Sequence, residues 1–274
     1  MKDRVGLGWR PELAASILTN LGRVDVVEVV AEDWLHDGRA LASLAAQVPV
    51  TIHGTSLGPA ASAPVDRARV ERLARLLDRA RPESWSEHLA FVRGGGVEIG
   101  HLAAPPRTSE TVDGAARNLA LAARITGARP LVENVATLLD PPGSDMPEVE
   151  WLRAVVEASG CDLLLDLHNL HANAVNFGFD AGEAVERLPA ERIRAIHLAG
   201  GKLWRGRILD DHLHDAPDEV FALLEAVAAR APGPLTVILE RDGAFPPFPR
   251  LLAELDRARA ALAAGRRSRE LTRV

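Results

Sequence analysis

The stretch LLLDLHNLHANAVNFGFD, Leu163 to Asp180, runs from an apolar, strand-like segment directly into Asp166, His168, Asn169, His171, Asn173 and Asn176. So many oxygen and nitrogen donors at the point where a strand leaves its core suit the coordination of a metal. Further donors stand in or just after other apolar runs: His53 in VTIHG, His88 in SWSEHLAF, Glu133 in PLVEN, His197 in IRAIHLA and Glu240 in LTVILE, with Asp210 and His212 in DDHLHD. Each alone has an ordinary explanation. A strand-end histidine is usually held by hydrogen bonds, an aspartate before a helix usually caps it, and DDHLHD suits a solvated turn. Their repetition at successive strand ends points elsewhere.

Four carboxylates, Glu133, Asp166, Asp210 and Glu240, cannot all stay ionised in one small cavity without cations, because mutual repulsion and desolvation would protonate them. Adding four histidines, His53, His88, His197 and His212, and the Asn169 carboxamide makes nine donors. That is more than one tetrahedral or octahedral ion can use while keeping a position for substrate. Two or three divalent ions, bridged by one or two carboxylates, would use them all. Cys161 is the only cysteine, so neither a thiolate cluster nor an intramolecular disulfide is available. Imidazole with carboxylate suits iron, zinc or manganese, and ligand chemistry alone does not choose among them.

The elements that must position these donors alternate. Eight strand candidates, residues 4–8, 26–30, 50–54, 84–91, 130–134, 162–166, 193–199 and 235–240, are separated by Ala/Leu/Arg segments of helical period such as PVDRARVERLARLLDRA and TVDGAARNLALAARITGA. Eight β-then-α units predict an α/β fold, a single-domain TIM (β/α)8 barrel over residues 1–264, whose C-terminal strand ends converge on one mouth. An open doubly wound sheet fits less well, since no GxGxxG turn follows the first strand. PPGSDMP, AGGKLWRGRILDDHLHD and RDGAFPPFP read as loops over that mouth. Asn173 and Asn176 read as residues that satisfy nearby main chain. Cys161 begins the sixth strand at the opposite end and reads as a buried structural thiol. The Arg-rich tail, residues 265–274, reads as a frayed terminus.

Composition sets the class. With 274 residues, 47% hydrophobic and 26% charged, the chain can bury a sizeable core. The N-terminal MKDRVGLGWR lacks the apolar region of a secretory signal and no run has membrane-spanning length, which predicts a cytoplasmic protein without a membrane partner. A net charge of -6 argues against a nucleic-acid footprint.

Taken in order, VEVVAEDW, TIHGTSLG, SEHLAF, VENV, LLLDLHNLHANAVNFGFD, AIHLAGG, DDH and VILERD resemble the multinuclear non-heme iron-dependent oxidases, the family of the methanobactin-maturing oxidase, from about Gly6 to Asp242. The resemblance implies a TIM barrel holding two or three iron ions (Fe2+/Fe3+), with dioxygen as co-substrate and a Cys-containing, ribosomally made precursor peptide as the molecule oxidised. It implies that His53, His88, Glu133, Asp166, Asn169, His197, Asp210, His212 and Glu240 hold the metals, with Glu133 or Glu240 as the bridge. No side chain is needed as a nucleophile. Glu32 and Asn134 are expected to orient ligands by hydrogen bonds; His168 and His171 either do the same or are polar loop residues. Relatives often act with a separate peptide-recognition protein. VRGGGVEIGHLAAPPRTSE departs from the family's longer aromatic and acidic loop, which leaves the substrate more open than the metals. Other classes that the donors allow are a trinuclear zinc phosphodiesterase of the endonuclease-four type, which has histidine in place of Asn169, a metal-dependent sugar isomerase, and a non-catalytic metal-binding partner protein.

Overall fold

The structure is a computed structural model that describes residues 2–272. Its strands are β1 (Arg4–Gly8), β2 (Val27–Val30), β3 (Val50–Gly54), β4 (Ser84–His88), β5 (Phe91–Gly94), β6 (Val97–Ala103), β7 (Leu131–Glu133), β8 (Asp162–Asp166), β9 (Ile193–Leu198), β10 (Gly200–Trp204), β11 (Arg207–His214) and β12 (Thr236–Leu239). Eight of them form a closed barrel in the order β1-β12-β9-β8-β7-β4-β3-β2. Registers such as Val5↔Val237, Val237↔Ile196, Ile52↔Trp85 and Val132↔Leu163 are parallel. The fold is the TIM barrel that the alternation of strand and helix predicts. Near-continuous apolar runs such as LLL and VIL are what parallel strands covered on both faces require.

Two stretches read as loops are instead antiparallel hairpins, β5 with β6 and β10 with β11. Both are short and rich in Gly, and in β11 the run Asp210-Asp211-His212 interrupts the period-two apolar alternation that marks a strand.

The chain forms two compact units, Glu28–Leu164, and Met1–Val27 with Leu165–Val274. In Glu28–Leu164, helices Arg67–Ala80, Ser109–Thr126 and Glu148–Ser159 bury Val70, Leu73, Leu119, Leu152 and Val155 beside Ile52, Trp85 and Val132. The helix Ser109–Thr126 begins in a capping box between Thr108 and Thr111, which satisfies donors that a bare helix start would leave open. Its buried Asn118 accepts from Val65 N–H at 3.0 Å and donates to the carbonyls of Pro59, Ala61 and Ala63. One amide thereby holds the loop that leaves β3.

In the other unit, helix Phe248–Thr272 packs along helix Asp218–Arg230. The terminus expected to fray is part of that helix through Thr272, because Arg266 bonds both carboxylate oxygens of Asp3, at 2.9 and 2.7 Å, and the carbonyls of Ala228 and Gly233. Residues 273–274 of the tail lie outside the described residues. Cys161 is buried just before β8, at the strand's entry rather than its exit. Among the described residues, no helix is long and apolar enough to cross a membrane.

Candidate metal centre

In the unit Glu28–Leu164, three adjacent barrel strands end in donors. His53 lies in β3 beside Ser86 of β4, and His88, the last residue of β4, lies beside Glu133, the last of β7. Glu133 Oε2 is 3.3 Å from His53 Nε2 and 3.2 Å from His88 Nε2. The two imidazoles meet edge to face, 4.5 Å between centroids. Their far nitrogens are anchored: His53 Nδ1 lies 2.8 Å from Ser86 Oγ, and His88 Nδ1 lies 3.3 Å from the Gly54 carbonyl. A carbonyl can only accept, so the His88 contact with Gly54 is made by an Nδ1–H, which leaves Nε2 as the nitrogen directed at Glu133. This is the arrangement that readies a histidine for a metal. The three side chains each offer a ligand atom within 4.8 Å of the others. The site's donor set therefore fits a divalent cation.

Two carboxylates that strand-end reasoning passes over lie deeper in the same unit. Glu28 accepts from Thr51 Oγ1 at 3.2 Å, and Glu87, 1% exposed, accepts from the N–H groups of Leu57 and His88. Burial, reinforced by the negative charges of Glu32 and Glu133, pushes the Glu87 carboxyl well above its ordinary range against the opposing effect of those two N–H bonds. Gly54 leaves it room, because a Cβ there would lie 2.7 Å from Glu87 Oε2. Glu32 accepts from Thr55 N–H with both oxygens, so it braces the backbone just past His53. Asn134 is buried immediately after β7.

In the other unit, Asp166 closes β8 and caps helix Leu167–Phe177, its Oδ1 accepting the Asn169 N–H at 2.7 Å. The capping and ligand readings of Asp166 are thus compatible, since Oδ1 serves the helix and the carboxylate has a second oxygen. Asn169 lies buried in the helix's first turn. His197, fully buried in β9, has Nδ1 3.1 Å from Oε2 of Glu240, which stands one residue beyond β12. Asp166, His197 and Glu240 each offer a ligand atom within 4.8 Å of the others.

Asp210 and His212 come from the β10–β11 hairpin. Its register runs Gly200↔His214 and then Lys202↔Leu209, so residue 201 alone faces residues 210–213. Within this bulge His212 adopts a left-handed backbone, φ 53°, a conformation that costs a non-glycine residue about 1–3 kcal/mol and marks functional segments. The bulge brings His212 Nε2 to 2.9 Å from Asp210 Oδ1, and His212 Nδ1 to 3.3 Å from Asp242 and 3.5 Å from Glu240. Burial would depress the His212 imidazolium, but hydrogen bonds to Asp210 and Asp242 and the Glu240 charge raise it well above its usual range. Burial likewise opposes ionisation of Asp210, yet bonds from His168 and His212 hold its carboxyl far below normal.

His168 is buried in the helix, its Nδ1 2.9 Å from Asp210 Oδ1. His171 is half-buried, and burial is the largest influence lowering its pKa; it belongs to none of the donor groups among the described residues. Asn176 does satisfy main chain, but that of β11, accepting from Ile208 N–H at 2.8 Å and donating to Ile208 O at 3.0 Å.

A profile of the family described as "RiPP precursor modification enzyme MbnB/TglH/ChrH" matches residues 4–263. A "UPF0276 protein" of Caulobacter vibrioides is 36% identical over 270 residues, covering 97% of this chain and 96% of that one. Another, of Streptomyces avermitilis, is 38% identical over 267 residues and 94% of this chain, which spans about half, 54%, of that relative's length. Among solved structures, an L-ribulose 3-epimerase (TM-score 0.63, 18% identity, 99% of this chain and 98% of that one) and endonuclease IV from Thermus thermophilus (TM-score 0.56, 18% identity, 95% and 99%) share the fold.

Proposed function

The chain belongs to the MbnB/TglH/ChrH family of RiPP precursor modification enzymes, and on that premise we propose that it is a multinuclear non-heme iron oxidase. Its substrate is a cysteine residue of a ribosomally made precursor peptide, and dioxygen is the co-substrate. In this proposal His53, His88, Glu133, Asp166, Asn169, His197, Asp210, His212 and Glu240 would hold two or three irons, with Glu133 or Glu240 as the bridging carboxylate. The observation that carries this reading is the convergence of His53 and His88 on one oxygen of Glu133, each imidazole held from behind. A structural carboxylate needs one such partner; an oxygen addressed by two oriented imidazoles is built to share a cation.

When bound, the irons supply the redox chemistry. The protein supplies position and charge. The carboxylates Glu133, Asp166, Asp210 and Glu240 offset the cationic charge, Asn169 contributes a neutral oxygen, and His168 and Glu32 fix the segments that carry Asp210 and His53. A cytoplasmic location and a separate peptide-recognition protein belong to the same proposal.

Elemental analysis of protein purified anaerobically from iron-replete cells tests the centre. Two or more irons per chain are expected, and one metal or none after reconstitution would refute it. The endonuclease-like reading is disfavoured by Asn169, an amide where that class has histidine, and by a net charge of -6.

A further inference from the structure

The β10–β11 hairpin does more than carry Asp210 and His212. Ile208 turns both its N–H and its carbonyl away from β10, to the Asn176 side chain. In an antiparallel ladder the residue opposite must turn its backbone groups the other way, and that residue is Leu203. The outer edge of β10 therefore presents the Leu203 N–H and C=O to solvent, with a side chain 69% exposed. Asn176 caps one edge of the hairpin; the other edge stays open for pairing.

Its chemistry is selective. Trp204 and Arg207 face each other across the ladder, Lys202 shares their side of β10, and Arg205 lays its guanidinium 4.6 Å over the Trp204 ring. Arg205 also occupies the turn with φ 51°, ahead of Gly206 at φ 79°. A two-residue turn of this kind favours Asn, Asp or Gly, so an arginine here is held at a backbone cost. Lys202 and Arg205 form a basic tip on a chain whose net charge is -6, while Arg207 lies towards the Phe177 ring, 6.0 Å from its centroid.

We propose that the outer edge of β10 binds an extended, acidic peptide segment by strand addition, its backbone pairing with Leu203 and its carboxylates meeting Lys202 and Arg205. That this segment belongs to the precursor peptide rests on the oxidase reading. A strand seated there would run beside the hairpin whose other strand carries Asp210 and His212, so the docking edge and the reacting centre share one element.

The test uses the full chain and a fluorescein-labelled peptide of alternating Glu and Val, read by anisotropy at low salt. Saturable binding is expected, weakened about tenfold by combined Lys202→Gln and Arg205→Gly and similarly by Leu203→Pro, which removes the edge N–H. Arg205→Gly relieves the left-handed turn, so an unchanged or raised Tm shows that the loss is not misfolding. A probe N-methylated on alternate residues should bind at least about tenfold more weakly than its parent. Equal binding of the Gln/Val isostere, no effect of these variants, preference for single-stranded DNA, or sedimentation as an edge-paired dimer instead of peptide binding would each overturn the proposal. None of these readouts needs metal or turnover, so a protein that binds the probe but holds no iron refutes the oxidase reading while leaving this edge intact.

Discussion

His168 Nδ1 lies 2.9 Å from Asp210 Oδ1, the oxygen that His212 Nε2 also approaches at 2.9 Å. One histidine on a helix thus fixes the carboxylate of a hairpin, and losing it should cost metal rather than fold. His168→Gln is expected to weaken binding of the ion proposed for Asp210 and His212 roughly 10- to 100-fold, the usual loss when a ligand's hydrogen-bond partner is removed. Metal titration followed by isothermal calorimetry checks this. Unchanged affinity would leave His168 as packing only.

The same contact explains Gly201. A Cβ there would stand 2.2 Å from the Leu209 carbonyl and 2.6 Å from His168 Cε1. Gly201→Ala should therefore destabilise by about 1–3 kcal/mol through overpacking, seen as a lower Tm, and should reduce loading of the same ion. Gly206→Ala, with open space around its Cβ but φ 79°, is the control: it should lower Tm with loading unaltered.

Glu133→Gln replaces a carboxylate addressed by two imidazoles with a neutral amide. Iron content should fall by at least one ion per chain, because a bridging charge is lost. Full occupancy by elemental analysis would remove Glu133 from the centre.

Much of this is legible in the residues because barrel strands are apolar runs that end abruptly. The strands at residues 4–8, 50–54 and 162–166 begin and end where the sequence places them. His53, His88, Glu133 and Asp166 stand out as the polar residues at such ends. Asp210 and His212 are identifiable as donors, but their bulged strand is not, since a bulge of four residues against Gly201 breaks the alternation that would reveal it. Glu87 and Glu28 escape sequence reasoning because they sit inside strands, where a glutamate ordinarily faces solvent; only the burial of both shows otherwise. The tail reads as mobile because its arginines carry no pattern, and its partner Asp3 lies at the far end of the chain.

That tail contact has a pH signature. Burial raises the Asp3 carboxyl, but its bonds from Arg266 and Leu235 N–H and the Arg266 charge outweigh this and depress its pKa. A depressed folded-state pKa means stabilisation that is fully present above the unfolded value, about 3.9, and lost as pH falls through the folded one. Asp3→Asn should lower Tm at pH 7, and the gap should close as the pH is taken below about 4. A gap independent of pH would show that the Arg266 pairing contributes nothing.

The central claim, an iron oxidase acting on peptide rather than a zinc hydrolase acting on DNA, is tested most directly by offering one anaerobically prepared protein both substrates. Loaded with iron and given its Cys-containing precursor peptide under dioxygen, it should consume oxygen and change the peptide mass by loss of hydrogen or carbon, while an abasic-site duplex stays intact with either iron or zinc. Zinc-supported cleavage of the abasic duplex, with no oxygen-dependent change in the peptide, would contradict the account.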